Sequence, residues 1–173
     1  ANWSSMGFAS SEHEEKMKKE GKAMLQNFYE KVDFSKVPKT LEQNFCIRIS
    51  PGLSVRGKID RVDEIGEKLE IIDYKTGRVM EQKDIENSLQ MTVYALAATD
   101  RGIYGKKAVD VVLSFCFLQG NEKKTTTRSE EDLKEAKEDL LKMAEEISAS
   151  DFKPTPGYQC DFCEFKLLCE AWS

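Results

Sequence analysis

Gly57-Lys58-Ile59-Asp60-Arg61-Val62-Asp63-Glu64-Ile65-Gly66-Glu67-Lys68-Leu69-Glu70-Ile71-Ile72-Asp73-Tyr74-Lys75-Thr76-Gly77 reads as two strands joined by one turn. Residues 53–63 alternate apolar and polar, a turn containing Gly66 follows, and Thr76-Gly77 ends the next strand. Asp73 and Lys75 stand two apart, so their side chains leave the same face of that strand. With the turn centred on Gly66-Glu67, Asp60 falls opposite Asp73 and Lys58 opposite Lys75. Directly opposed residues have Cβ atoms roughly 4.5–5.5 Å apart.

Upstream, Phe45, Ile47 and Ile49 alternate with Cys46 and Arg48, a half-buried strand that Pro51-Gly52 turns back into residues 53–63. An N-terminal helix is expected behind the capping-box pair Ser11 and Glu14, with Met17, Gly21, Met24, Leu25 and Phe28 on one face. Downstream, helical spacing over residues 84–99 puts Ile85, Leu89, Val93 and Leu96 on one stripe. Residues 108–118 are apolar enough for a central strand, and residues 129–148 form a last helix with the stripe Leu133, Ala136, Leu140, Ala144 and Ile147. Helix, three strands, helix, strand, helix predicts an α/β domain whose mixed sheet is flanked by helices.

The 173 residues suit a single domain, and a start at Ala1 rather than Met is expected of a piece cut from a longer protein. Residues 154–173 form its cysteine-rich end. A net charge of −5 argues against a protein that coats DNA but not against an enzyme with a local basic groove. The Lys- and Glu-rich stretches 12–22 and 129–142 read as solvated helix faces, and residues 122–128 as a mildly basic surface turn, contact with a phosphate backbone being the lesser alternative. No apolar run approaches the ~18 residues of a membrane span. Without a signal-peptide layout, five cysteines point to a reducing compartment, so a cytoplasmic address with no membrane partner is expected.

Two carboxylates as close as Asp60 and Asp73 repel unless a cation lies between them. Their oxygen chemistry suits Mg²⁺ or Mn²⁺, ions that take one or two protein carboxylates and leave the remaining positions to water and phosphate. Lys75 beside such an ion can orient or deprotonate an attacking water, or stabilise charge developing on a phosphoryl group. Tyr74 points to the other face, but its backbone carbonyl remains available as a neutral ligand. Gln90 and Tyr94, i and i+4, share one face of the following helix.

Gly57-Lys58-Ile59-Asp60-Arg61-Val62-Asp63, Ile71-Ile72-Asp73-Tyr74-Lys75-Thr76-Gly77 and Leu89-Gln90-Met91-Thr92-Val93-Tyr94 together resemble the RecB-like branch of the PD-(D/E)xK nucleases. The resemblance implies a restriction-endonuclease-like fold and a Mg²⁺- or Mn²⁺-dependent deoxyribonuclease, an exonuclease or flap-type endonuclease acting on single-stranded DNA or DNA ends. Asp60, Asp73 and Tyr74 would be the metal ligands, and Asp60, Asp73, Lys75, Gln90 and Tyr94 the catalytic set. The branch also implies DNA as partner, a helicase domain or subunit in the same complex, and a role in repair and recombination. Glu42 resembles the acid that often opens the family's first strand. The family often has a histidine on an early helix, but His13 lacks its usual context.

Cys160-x2-Cys163-x5-Cys169 has the spacing of thiolates that grip one metal or cluster. It also resembles the C-terminal trio of iron–sulfur members of this family, whose fourth cysteine lies far upstream. Here Cys46 and Cys116 fall on strands and read as ordinary thiols, so the fourth ligand is missing from the chain. A [4Fe–4S] cluster in the full-length protein and a zinc site with one outside ligand are both compatible with the trio. A catalytically inactive DNA-binding or structural module held by such a staple is the rival to the nuclease.

Overall fold

A computed structural model describes residues 3–172. Its centre is the strand that carries Asp73. β1 (Thr40–Ser50), β2 (Leu53–Ile65), β3 (Lys68–Lys75), β4 (Val111–Phe117) and β5 (Glu122–Thr126) form one sheet in the order β1-β2-β3-β4-β5. All neighbours are antiparallel except β3 and β4, which run parallel. A parallel pair needs a crossover, and α2 (Gln82–Glu86) and α3 (Leu89–Thr99) provide it. α1 (Ser11–Lys31) precedes the sheet and α4 (Glu130–Ala149) follows it.

Neighbouring residues of a strand face opposite ways, which sorts the helices. Tyr74 meets the edge of the Phe28 ring of α1, with ring centroids 5.5 Å apart, whereas Asp73 meets α3. The main core lies on the Asp73 face. There Leu69, Ile71, Leu113, Phe115 and Phe117 of the sheet pack with Met91, Leu96 and Leu133 from α3 and α4. α1 buries none of its residues, and its expected apolar stripe remains largely uncovered, with Leu25 62% exposed. Its cap lies one residue earlier than expected. The Ser10 hydroxyl accepts from His13 N, while Glu14 takes hydrogen bonds from the Trp3 indole and the Ser5 hydroxyl instead of closing a capping box.

The β2–β3 ladder runs from Ile65–Lys68 to Arg61–Ile72, the register that continues to Asp60 opposite Asp73. β1 and β2 do not alternate throughout. Leu41 pairs with Arg61 and Gln43 with Ile59, but Glu42 sits between them at φ 52° in the left-handed region, uncommon for a non-glycine residue. The pleat changes phase there, so Ile59 and Val62, three apart, are both fully buried. Asp60 lies at this kink.

Three further elements depart from the pattern read in the sequence. The helix expected over residues 84–99 is two helices, because Ser88 caps α3 through Met91 N and interrupts the first. α3 is covered on two sides, by the sheet and by α4, so Ala95, Ala97 and Ala98 are buried while Leu89 of the expected stripe is 43% exposed. Residues 122–126 are not a turn but the edge strand β5, whose polar composition suits an edge exposed to water.

Arg128, expected at the surface, is 7% exposed. Its five N–H groups all find acceptors: Nε donates to Thr92 Oγ1, Nη1 to Thr126 Oγ1 and the Thr127 carbonyl, and Nη2 to the Ile85 and Ser88 carbonyls. It thereby ties the α2–α3 junction to the end of β5, just before the capping box of Ser129 and Asp132 that starts α4. Lysine offers three donors in a different geometry. Arg128→Lys is therefore expected to lose about 2–4 kcal/mol of stability through carbonyls left unpaired, read from urea unfolding followed by circular dichroism.

Candidate active site

The C-terminal half of β3 delivers Asp73 and Lys75 to the same face, and the first turns of α3 deliver Gln90 and Tyr94 above them. Gln90 joins the two strand residues. Its Oε1 accepts from Lys75 Nζ at 2.8 Å, and its Nε2 donates to Asp73 Oδ1 at 2.8 Å and to the Tyr94 hydroxyl at 2.9 Å. An ammonium requires the amide oxygen and a carboxylate requires the amide nitrogen, so only one orientation of Gln90 fits both neighbours. The Tyr94 hydroxyl has one proton and two acceptors within 3.0 Å, Asp73 Oδ1 and the Lys58 carbonyl. Burial, followed by the charge of Asp73, raises the Tyr94 phenol far above its usual pKa. Tyr94 therefore remains a neutral donor at any ordinary pH.

Lys75 Nζ lies 2.8 Å from Asp73 Oδ2 and 4.8 Å from the centroid of the Phe115 ring beneath it. The contact with Oδ2 is an ion pair without hydrogen-bond alignment, so this buried oxygen has no hydrogen-bond partner. Asp60 reaches the same place from β2. Its Oδ2 accepts from Tyr74 N at 2.9 Å, just where the backbone ladder between β2 and β3 has stopped. The N–H and C=O of one strand residue leave by the same edge, so the Tyr74 carbonyl is on the Asp60 side as well. All five residues expected in the catalytic set, and Tyr74 with them, thus lie around one point at the end of β3.

The family model of the PD-(D/E)XK nuclease superfamily matches residues 1–170. This chain belongs to that superfamily. Its five-stranded mixed sheet flanked by helices is the superfamily's restriction-endonuclease-like α/β fold. No curated protein matches the sequence. Among solved structures that do match is one described as "Crystal structure of SSO0001", at 15% identity and a TM-score of 0.49, covering 87% of this chain and 67% of that one.

A divalent cation fits this PD-(D/E)XK site. Asp73 Oδ2 is a buried carboxylate oxygen lacking a hydrogen bond, and Asp60 and the Tyr74 carbonyl bring two more oxygen donors to the same edge. Among the described residues no three His, Cys, Asp or Glu side chains form a metal-binding group. Two carboxylates and a carbonyl match an ion that keeps several waters. Such an ion supplies Lewis acidity at a phosphoryl oxygen and lowers the pKa of a bound water.

The chain's single histidine, the cysteine trio and Glu42 lie outside this cluster. His13 Nδ1 accepts from Ala9 N at 3.3 Å, and its ring meets Phe8, so it helps to close the start of α1. Cys160, Cys163 and Cys169 are free thiols in a tail of short 3₁₀ turns, and among the described residues they do not form a metal-binding group. Glu42 pairs with the Lys58 ammonium at the rim of the site. Three residues absent from the expected set also build it. The Lys58 carbonyl receives Tyr94, Phe115 supports Lys75, and Phe45 packs edge-on against the Tyr94 ring with centroids 6.1 Å apart. Phe45 and Phe115 carry only the general signal of apolar strand positions.

No described helix is long and apolar enough to cross a membrane.

Proposed function

We propose that this chain is a Mg²⁺- or Mn²⁺-dependent deoxyribonuclease of the RecB-like branch, hydrolysing phosphodiester bonds in single-stranded DNA or at DNA ends. The observation that carries this reading is the closed set of contacts around Asp73: Gln90, Tyr94 and Lys75 all touch its carboxylate while Oδ2 stays without a hydrogen bond. A solvated strand face would not bury a carboxylate with only an ammonium beside one of its oxygens, because burying a charge is costly unless it is fully partnered. Asp60, Asp73 and the Tyr74 carbonyl would hold the cation.

Each residue then has a task in the hydrolysis, in which a water oxygen bonds to phosphorus and one ester oxygen leaves. Lys75, fixed by Asp73 and Gln90, presents a positive charge where negative charge gathers on the phosphoryl oxygens, or orients the attacking water. Gln90 sets the distance between Lys75 and Asp73. Tyr94, by donating to Asp73 or to the Lys58 carbonyl, ties α3 to β3 and β2 at once. By resemblance to its branch, the domain works with a helicase domain or subunit in cytoplasmic DNA repair and recombination.

End-labelled single- and double-stranded oligonucleotides incubated with the protein and Mg²⁺ or Mn²⁺ test the reading. The expected result is shortening of the single strand or of duplex ends that stops on chelation. DNA left intact under both metals would replace the nuclease by the inactive DNA-binding module. Iron and zinc analysis of anaerobically purified protein tests the cysteine trio separately.

A further inference from the structure

Beyond the kink at Glu42 and Asp60, the β1–β2 hairpin carries a charge pattern that the chemistry at Asp73 does not use. Residues 43–59 contain Arg48, Arg56 and Lys58 and no acid, in a chain where 31 acidic residues outnumber 26 basic ones. All three are exposed. The pairing Asn44↔Lys58, Cys46↔Arg56 and Arg48↔Ser54 puts them on one face, opposite the face of Phe45, Ile47 and Ile59.

Lys58 and Arg56 are two residues apart on one strand, roughly 6.6–6.8 Å. Arg48 is the diagonal neighbour of Arg56 across the ladder, roughly 7–8 Å away. The three cations therefore form a line that starts two residues from Asp60 and leads toward the hairpin tip.

Fold stability does not account for this line. Lys58 pairs with Glu42, but Arg48 and Arg56 have no carboxylate partner among the described residues. Like charges adjacent on one sheet face are destabilising, and a polyanion laid along them would relieve the repulsion. Arg56, Gly57 and Lys58 also help to line a cleft of about 500 Å³ together with Phe45, Gln90 and Tyr94, so the strand that carries the line on its outward face borders the site with its other face.

We propose that the outward face of the β1–β2 hairpin is the track on which the phosphodiester backbone of the substrate lies as it enters or leaves the site, with Arg48, Arg56 and Lys58 each facing a phosphate. The identity of the polyanion rests on the nuclease reading; the track itself follows from the hairpin.

Binding measured without cleavage tests it. Fluorescence anisotropy of labelled single-stranded and duplex oligonucleotides in chelator gives the slope of log affinity against log salt. That slope changes by about 0.7 per phosphate contact on a single strand and about 0.9 on a duplex. Arg48→Ala/Arg56→Ala is expected to flatten it by about 1.4 if single-stranded DNA uses the track, and by about 1.8 if duplex does. Lys134→Ala/Lys142→Ala on the exposed face of α4 is expected to leave it unchanged.

The unaltered protein offers a second measurement. Cys46 is exposed directly opposite Arg56, and Cys163 is exposed in the C-terminal tail. Bound oligonucleotide is expected to slow alkylation of Cys46 by N-ethylmaleimide severalfold and to leave Cys163 unaffected, read by peptide mass spectrometry. A wild type that binds DNA, with an unchanged slope in the double variant and unprotected Cys46, would overturn the track in favour of an acidic protein partner for these arginines. A wild type that binds neither form of DNA would overturn it too. Absent cleavage with a flattened slope would remove the nuclease reading and leave the track standing.

Discussion

Asp73→Asn is expected to reduce metal-dependent cleavage by at least about 10³-fold, some 4 kcal/mol in barrier height, while the chain stays folded. The substitution is nearly isosteric and keeps an oxygen that can accept from Gln90 and Tyr94 as Asp73 Oδ1 does. It removes the charge and turns an N–H₂ group toward Lys75, which now lies 2.8 Å from Oδ2. Two donors then face each other, so Lys75 keeps only its bond to Gln90. Asp60 would at the same time be left as the one carboxylate able to hold a cation there. Affinity for the ion and the placement of Lys75 fail together, which is why the expected loss exceeds that of a single hydrogen bond. Stability should fall as well, though not enough to unfold the chain, because the largely buried ion pair with Lys75 is broken and two donors are left facing each other. Initial rates on end-labelled DNA and urea unfolding in chelator measure the two effects. A variant that cleaves within tenfold of wild type would show that Asp73 is not the centre of the chemistry.

The features legible in the sequence are those fixed by local period. Gly66 and the alternation on either side set the β2–β3 register. The two-residue spacing of Asp73 and Lys75 gives their shared face, and the four-residue spacing of Gln90 and Tyr94 gives theirs. Features made by distant parts of the chain were not legible. Arg128 resembles any arginine in a polar turn until the Ile85 and Ser88 carbonyls arrive from the α2–α3 junction to occupy its donors. β5 has no apolar alternation because it is an edge strand, and it is recognisable only by its pairing with β4. The phase change at Glu42 depends on a backbone angle that an acidic residue seldom adopts, so the sequence predicts strict alternation through Asp60 where the strand in fact changes phase. Nor does the stripe on α1 announce that its helix will lie loosely over the Tyr74 face and bury none of it.

Gly57→Val joins these two levels, since it should damage the fold and the chemistry through one contact. Gly57 does not have the left-handed backbone conformation; its requirement is space. A Cβ built there would stand 2.5 Å from Phe45 Cζ and 2.7 Å from Cε1, closer than carbon atoms approach. Phe45 is 6% exposed and cannot swing into water without leaving the core. It must press on Tyr94, whose ring it meets edge-on, or force β1 away from β2. Overpacking of this kind costs about 1–3 kcal/mol. Pressure on Tyr94 also shifts the hydroxyl that touches Asp73 Oδ1 and the Lys58 carbonyl, and a displacement of about 1 Å in a catalytic group can cost about 10²-fold in rate. Both losses are therefore expected, and a smaller residue at position 45 should recover part of each. In the cycle of Gly57→Val, Phe45→Leu and the double variant, the coupling energy should reach about 1 kcal/mol or more in the direction of rescue. Strict additivity in stability and in rate would mean that Gly57 serves the site by some route other than the Phe45–Tyr94 contact.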